Sequence, residues 1–157
     1  DFGIEIGPLT APLAKELDTL KVPHGASVAN PIDVPANLLL RDGGETAGRI
    51  IASIFTHAAN TALVFHLNLS VMGNYDDNAL IERMVENVVA AAKVSKNVGA
   101  FHLVLRSDRA TRTEELKQRL IRKVDGTGIT VLDEISDSAR VLNGLRDLTI
   151  FRDIRAL

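Results

Sequence analysis

The chain carries four histidines and no cysteine. Few of its polar residues are spaced so that their side chains could act together. His66 and Asn68, in Phe65-His66-Leu67-Asn68, sit near the end of a short apolar run, where a strand would deliver them to a site. The plainer account of His66 is a half-buried ring bonded to a backbone group. His102 lies inside the next apolar run and reads as a satisfied core histidine. His57, in Thr56-His57-Ala58-Ala59, ends a helical pattern, where its ring suits the helix dipole. His24 falls in a long irregular stretch and reads as solvated. No two histidines have a metal-ligand spacing with a carboxylate between them, so no metal is expected in this chain.

Asp42-Gly43-Gly44-Glu45-Thr46 opens a helix, and backbone N–H groups at such a start can hold a phosphate. The segment is neither a GxGxxG nor a Walker loop, and Asp42 and Glu45 would repel an anion. A turn followed by an acidic first helical turn is the preferred reading. Asn30-Pro31-Ile32-Asp33 is more distinctive. Asn30 is held extended by the following proline, and Val34-Pro35 restrains the chain again. Asn and Asp side chains between prolines lock a loop by bonding nearby N–H groups. A rigid loop of this kind would also present Asn30 and Asp33 to a neighbour. No serine lies in a GxSxG elbow, and Asp76-Asp77 reads as a helix start rather than a catalytic pair.

The elements that must position these residues follow from periodicity. Ile4-Glu5-Ile6 alternates like a short strand, ended by Gly7-Pro8. Thr10 caps a helix with Pro12 in its first turn and Leu13, Leu17 and Leu20 on its apolar stripe. Residues 21–44 show no clear period and hold three of the five prolines and three of the eleven glycines. An irregular stretch this long inside a compact domain is often functional. Ile50, Ile51, Ile54, Phe55 and Ala58 keep a helical face from Glu45 to about residue 58, and Asn60-Thr61 breaks it.

Ala62 to Leu67 reads as a strand buried on both faces. Leu80 to Ala92 repeats its apolar residues on a broad helical stripe. Gly99 ends the next connection, and Ala100 to Leu105 is a second strand. Thr111 and Glu114 form a capping box for a helix with Leu116, Leu120, Ile121 and Val124, on whose wet face Glu115 and Arg119 would pair. Gly126 and Gly128 stop it, Ile129 to Leu132 is a third strand, and Ser136 caps a last helix with Ala139, Leu142 and Leu145. Residues 148–157 have no clean period. Alternating strands and helices specify an α/β fold, a parallel sheet flanked by helices in three α/β/α layers. Ligands of such sheets sit at the carboxyl ends of the strands, here after Leu67, Leu105 and Leu132.

Composition narrows the function. With 157 residues and 46% hydrophobic content, the chain fits one domain with its own core. The absence of cysteine excludes disulfides, thiolate metal sites and cysteine nucleophiles. Eighteen Lys and Arg against 20 Asp and Glu, with 4% aromatics, argue against a nucleic-acid partner. No run approaches membrane-spanning length and no signal peptide is visible.

The order of elements, together with Ala26-Ser27-Val28-Ala29-Asn30-Pro31-Ile32-Asp33-Val34, resembles the nucleoside-diphosphate-forming acyl-CoA synthetases. These include the ADP-forming acetyl-CoA synthetases and, more distantly, succinyl-CoA synthetase. The similarity is to their flavodoxin-like CoA-ligase domain. There an Asn-Pro-(Ile/Val)-Asp segment precedes a Gly-rich helix start, matched here by Gly43-Gly44, and then a strand, matched by the segment from Thr61. Where the family often has Gly-Gly after that strand, this chain has Leu69-Ser70. The resemblance covers about residues 1–150, a single domain, with 151–157 as a tail.

It implies an enzyme that interconverts acyl-CoA, ADP and phosphate with acid, CoA and ATP through a phosphohistidine carried outside this chain. CoA, ATP or ADP and magnesium belong to that full enzyme, and none is expected on this chain. The implied partners are the CoA-binding, phosphohistidine and ATP-grasp parts of an oligomeric, cytoplasmic synthetase. Asn30, Asp33, Gly43, Gly44, His66 and Asn68 form the expected binding or docking surface. The alternative expectation is a binding or regulatory module that kept the fold and lost the chemistry.

In a flavodoxin-like sheet of order 2-1-3-4-5 the first strand is central, and by this resemblance the chain begins at the second. Three outcomes are then expected for the strand at Ala62. Another polypeptide pairs with it, a second copy donates an element, or Ile4-Glu5-Ile6 moves inward to pair with it. The first is preferred, because a start at Asp1 looks like a cut in a longer chain.

Overall fold

The computed structural model describes residues 3–20, 27, 29–57, 62–73, 78–94 and 99–155. His24, Asn60-Thr61 and Asp76-Asp77 lie outside them. The elements run α1 (Ala11–Thr19), α2 (Ala36–Arg41), α3 (Glu45–His57), β1 (Ala62–Asn68), α4 (Leu69–Met72) and α5 (Asn78–Val94). They continue with β2 (Ala100–Arg106), α6 (Thr111–Val124), β3 (Thr130–Leu132) and α7 (Ile135–Arg155). The three strands form one parallel sheet in the order β1-β2-β3, with Ala62 beside Ala100 and His102 beside Thr130. Parallel strands need long crossovers, and α5 and α6 lie in those connections.

Side chains alternate between the two faces of a strand. Leu63, Phe65 and Leu67 share one face with Phe101, Leu103 and Leu105 and join the main core. On that face Phe55 of α3 meets Phe101 edge to face, with ring centroids 5.7 Å apart. Val64, His66, His102 and Val104 share the other face. There His102 Nδ1 lies 2.8 Å from Ser138 Oγ of α7. Helices thus lie on both sides of the sheet, and the α/β, parallel, three-layer expectation agrees with this arrangement.

Several local expectations change. Strand β1 is not buried on both faces: Val64 is 37% exposed and His66 is also exposed, because β1 lies at the edge of the sheet whereas β2 is flanked by β1 and β3. Ile4-Glu5-Ile6 forms no strand, and Ile6 is 65% exposed. Within the stretch read as irregular, Ala36–Arg41 is helical and buries Leu38, Leu39 and Leu40. Three consecutive buried leucines leave no polar face for a period to reveal.

The capping box does not form, because Ala110, without a side-chain bond, occupies the cap of α6 and Thr111 is already helical. Ser136 likewise lies inside α7, which begins at Ile135. That helix runs to Arg155, through the expected tail boundary. Arg119 does not pair along its own helix; its Nε bonds Glu82 Oε1 of α5 at 2.8 Å. Lys123 reaches Glu82 at 3.3 Å and Glu86 at 2.5 Å, so the two crossover helices are clamped by charge as well as by their apolar faces.

The glycine pair sets how closely α3 approaches α5. Gly44 has φ +84°, and a Cβ built there would lie 2.2 Å from Met84 Cα. Only glycine combines that backbone conformation with that contact. Thr10 caps α1 as expected: its Oγ1 accepts from Leu13 N at 3.4 Å. The same hydroxyl donates to the His57 carbonyl at 3.0 Å and ties α1 to the end of α3.

Candidate functional site

The six expected site residues lie in three places. Asn30 and Asp33 belong to a closed loop. Ser27 and Asp33 exchange two backbone hydrogen bonds of 3.0 Å, and Asn30 Nδ2 donates to the Gly7 carbonyl at 2.8 Å. The Asn30-Pro31 peptide is cis. The loop is rigid because its ends are bonded and its middle is tethered to the segment before α1. Asp33 is exposed on it.

Gly43 and Gly44 are buried against Arg83 and Met84, and the Gly43 carbonyl accepts from Asn87 Nδ2 at 3.0 Å. They are inside the fold rather than on a docking surface. Asp42 fills the role expected of an acidic helix start. Its Oδ2 accepts from Thr46 N at 3.0 Å and from Thr46 Oγ1 at 2.5 Å. Burial alone would raise the Asp42 carboxyl, but these bonds hold it below the usual carboxylate range.

His66 and Asn68 lie at the carboxyl end of β1, on the rim where α/β sheets place their ligands. Asn68 is engaged locally: its Oδ1 accepts from Val71 N at 3.3 Å and caps the short α4. Burial lowers the pKa of His66, the Arg106 charge lowers it further, and Glu134 opposes both. Arg106 Nε stands 4.0 Å from Glu134 Oε1, so one electrostatic neighbourhood joins the ends of all three strands. Lys117 of α6 is 7% exposed and its Nζ meets Asp133 Oδ1 at 2.7 Å, beside the end of β3.

Between β2 and α6, Asp108 accepts from Ala110 N at 3.0 Å and from the Thr113 hydroxyl. The Thr113 bond, then the Ala110 N–H, then in smaller part Ser70, holds its carboxyl below the usual range.

Five rim residues were not among the expected site residues: Arg106, Asp108, Lys117, Asp133 and Glu134. Four of them follow strand ends, where the rule for α/β sheets pointed. Lys117 carried little signal, because it is one of five lysines and arginines on its helix. The rim sets two cations, Arg106 and Lys117, against three carboxylates, Asp108, Asp133 and Glu134. Among the described residues no three His, Asp or Glu gather to hold a metal ion. What the described rim residues offer is hydrogen bonding and charge matching. No helix among the described residues is long and apolar enough to cross a membrane. Comparison with protein-family models, curated proteins and solved structures gives no match.

Proposed function

We propose that this chain is the flavodoxin-like CoA-ligase domain of a cytoplasmic, nucleoside-diphosphate-forming acyl-CoA synthetase. Its role there is docking, and the phosphohistidine, CoA and nucleotide are carried by other parts. The observation that supports the reading is the bracing of the Asn-Pro-Ile-Asp loop. Asn30 tethers it to Gly7, the Ser27–Asp33 bridge closes it, and the loop leads into α2, the Gly43-Gly44 turn, α3 and β1. This is the order of parts on which the resemblance rests, and the rigid loop leaves Asp33 outward for a neighbour.

The test is ATP formation from acyl-CoA, ADP and phosphate. It should be seen when the domain is joined to its histidine-bearing and ATP-grasp parts, and not with the 157 residues alone. Turnover by the 157 residues alone would end this reading, as would silence of the joined protein with every short acyl-CoA tried.

A second reading is a non-catalytic binding module. It is favoured by the internal use of Asn30, Gly43, Gly44 and Asn68, four of the six expected site residues. A joined protein that folds and binds its partners but never turns over would select it.

A further inference from the structure

The two edges of the sheet are built differently. Strand β3 has three residues, follows the Gly126–Gly128 turn and is succeeded by Asp133 and Glu134. Short length and adjacent charge blunt an edge against further pairing. Strand β1 has seven residues, Ala-Leu-Val-Phe-His-Leu-Asn, and pairs only with β2 among the described residues. It contains no Lys, Arg, Asp, Glu or Pro. About half of its backbone N–H and C=O groups point away from β2, as in any edge strand. Of the three outcomes expected for this edge, inward pairing of Ile4-Glu5-Ile6 is not what the structure has.

We propose that β1 is the self-association surface of this chain, pairing antiparallel with β1 of a second copy. The occupant follows from the character of the edge. A strand laid beside it must be uncharged and must place apolar residues next to Leu63, Phe65 and Leu67 to extend the core. Among the described residues, the one other feature of that length and pattern is β2, which already has neighbours on both sides.

Strand β1 complements itself. With a two-fold axis at Phe65, Ala62 faces Asn68 of the second copy, Leu63 faces its Leu67, and Val64 faces its His66. Small meets polar, apolar meets apolar, and no like charges are opposed. The Leu63, Phe65 and Leu67 rows of both copies then fall on one face, and two three-stranded sheets become one of six. Such a contact is isologous and closes at the dimer. The inference rests on the edge of the 157-residue chain, and in the CoA-ligase reading a strand from outside these residues would compete for the same edge.

Sedimentation equilibrium of the 157-residue chain over micromolar concentrations tests it, with a mass about twice 17.0 kDa expected. Val64→Lys places a charge on an exposed edge position and should weaken the dimer at least tenfold. Phe65→Cys should give a disulfide-linked dimer on mild oxidation, since the axis brings the two positions within bridging distance and the chain has no other cysteine. A monomer at every concentration overturns the proposal. So does a dimer that Val64→Lys leaves intact and that Phe65→Cys does not cross-link, because association then uses another face.

Discussion

His102 Nδ1 and Ser138 Oγ, 2.8 Å apart and both 1% exposed, form the buried polar contact between the sheet and α7. Burial is what lowers the His102 pKa, so the folded chain favours the neutral ring. The unfolded chain takes up the proton at about pH 6.5. Stability from this group is therefore present above that pH and is lost as pH falls toward the depressed folded value. His66 acts in the same direction. The carboxylates held low, Glu16, Asp42, Glu82 and Asp108, lose their contribution only below about pH 4.5. Urea midpoints should thus drop between pH 7.5 and 5.5, and His102→Gln should remove a large part of that slope. An unchanged slope in His102→Gln would refute the assignment.

Gly44→Ala should be the most damaging single-methyl change in the chain. The new Cβ meets the Met84 backbone, and φ is +84°. The expected loss is about 3 kcal/mol or more, read from denaturant midpoints. Gly126→Ala is the control. It shares a positive φ of +69° but has nothing within 4 Å, so about 1 kcal/mol is expected. Equal losses at the two positions would show that collision with α5 is not the cause.

At the start of α6, Asp108 does the work that a capping residue would do. Asp108→Ala removes an acceptor for the Ala110 N–H and the Thr113 hydroxyl and should lower the melting temperature. Thr111→Ala should stay within about 0.5 kcal/mol, since its side chain is exposed and is not the cap. The reverse ranking in thermal melts would restore the capping box.

The Lys117–Asp133 pair joins a buried amine to an exposed carboxylate. Asp133→Asn leaves the ammonium without its counter-charge and should cost about 1.5–3 kcal/mol. Asp137→Asn breaks the exposed Arg140 contact at 2.9 Å and should cost less than about 0.5 kcal/mol. Raising salt should narrow the second difference more than the first.

The elements most legible in the sequence were those whose neighbours are uniform. Helix α5 has a full apolar stripe because it lies against α3 on one side and α6 on another. Strand β2 is buried from Phe101 to Leu105, so its apolar run is unbroken. What failed was what depends on distant partners. Thr111 and Glu114 have the spacing of a capping box, yet Asp108, three residues before Thr111, bends the entry so that Ala110 takes the cap. Arg119 has Glu115 within reach but finds Glu82 on another helix. The rim was half legible. His66 and Asn68 stood out because few polar residues end an apolar run. Lys117 did not, since its burial is decided by the position of β3.

Among the described residues, helix α7 is held firmly near its start and lightly further along. Near its root Ser138 is buried beneath it, and eight residues on, the exposed Arg146 holds the Gly3 carbonyl at 2.9 Å. A surface hydrogen bond is easily exchanged for water. About 25 Å of helix extends beyond Ser138. A tilt of about 10° at the root then carries the far end about 4 Å. Leverage of this kind turns a side-chain-sized event at the sheet into a displacement a neighbouring molecule can feel.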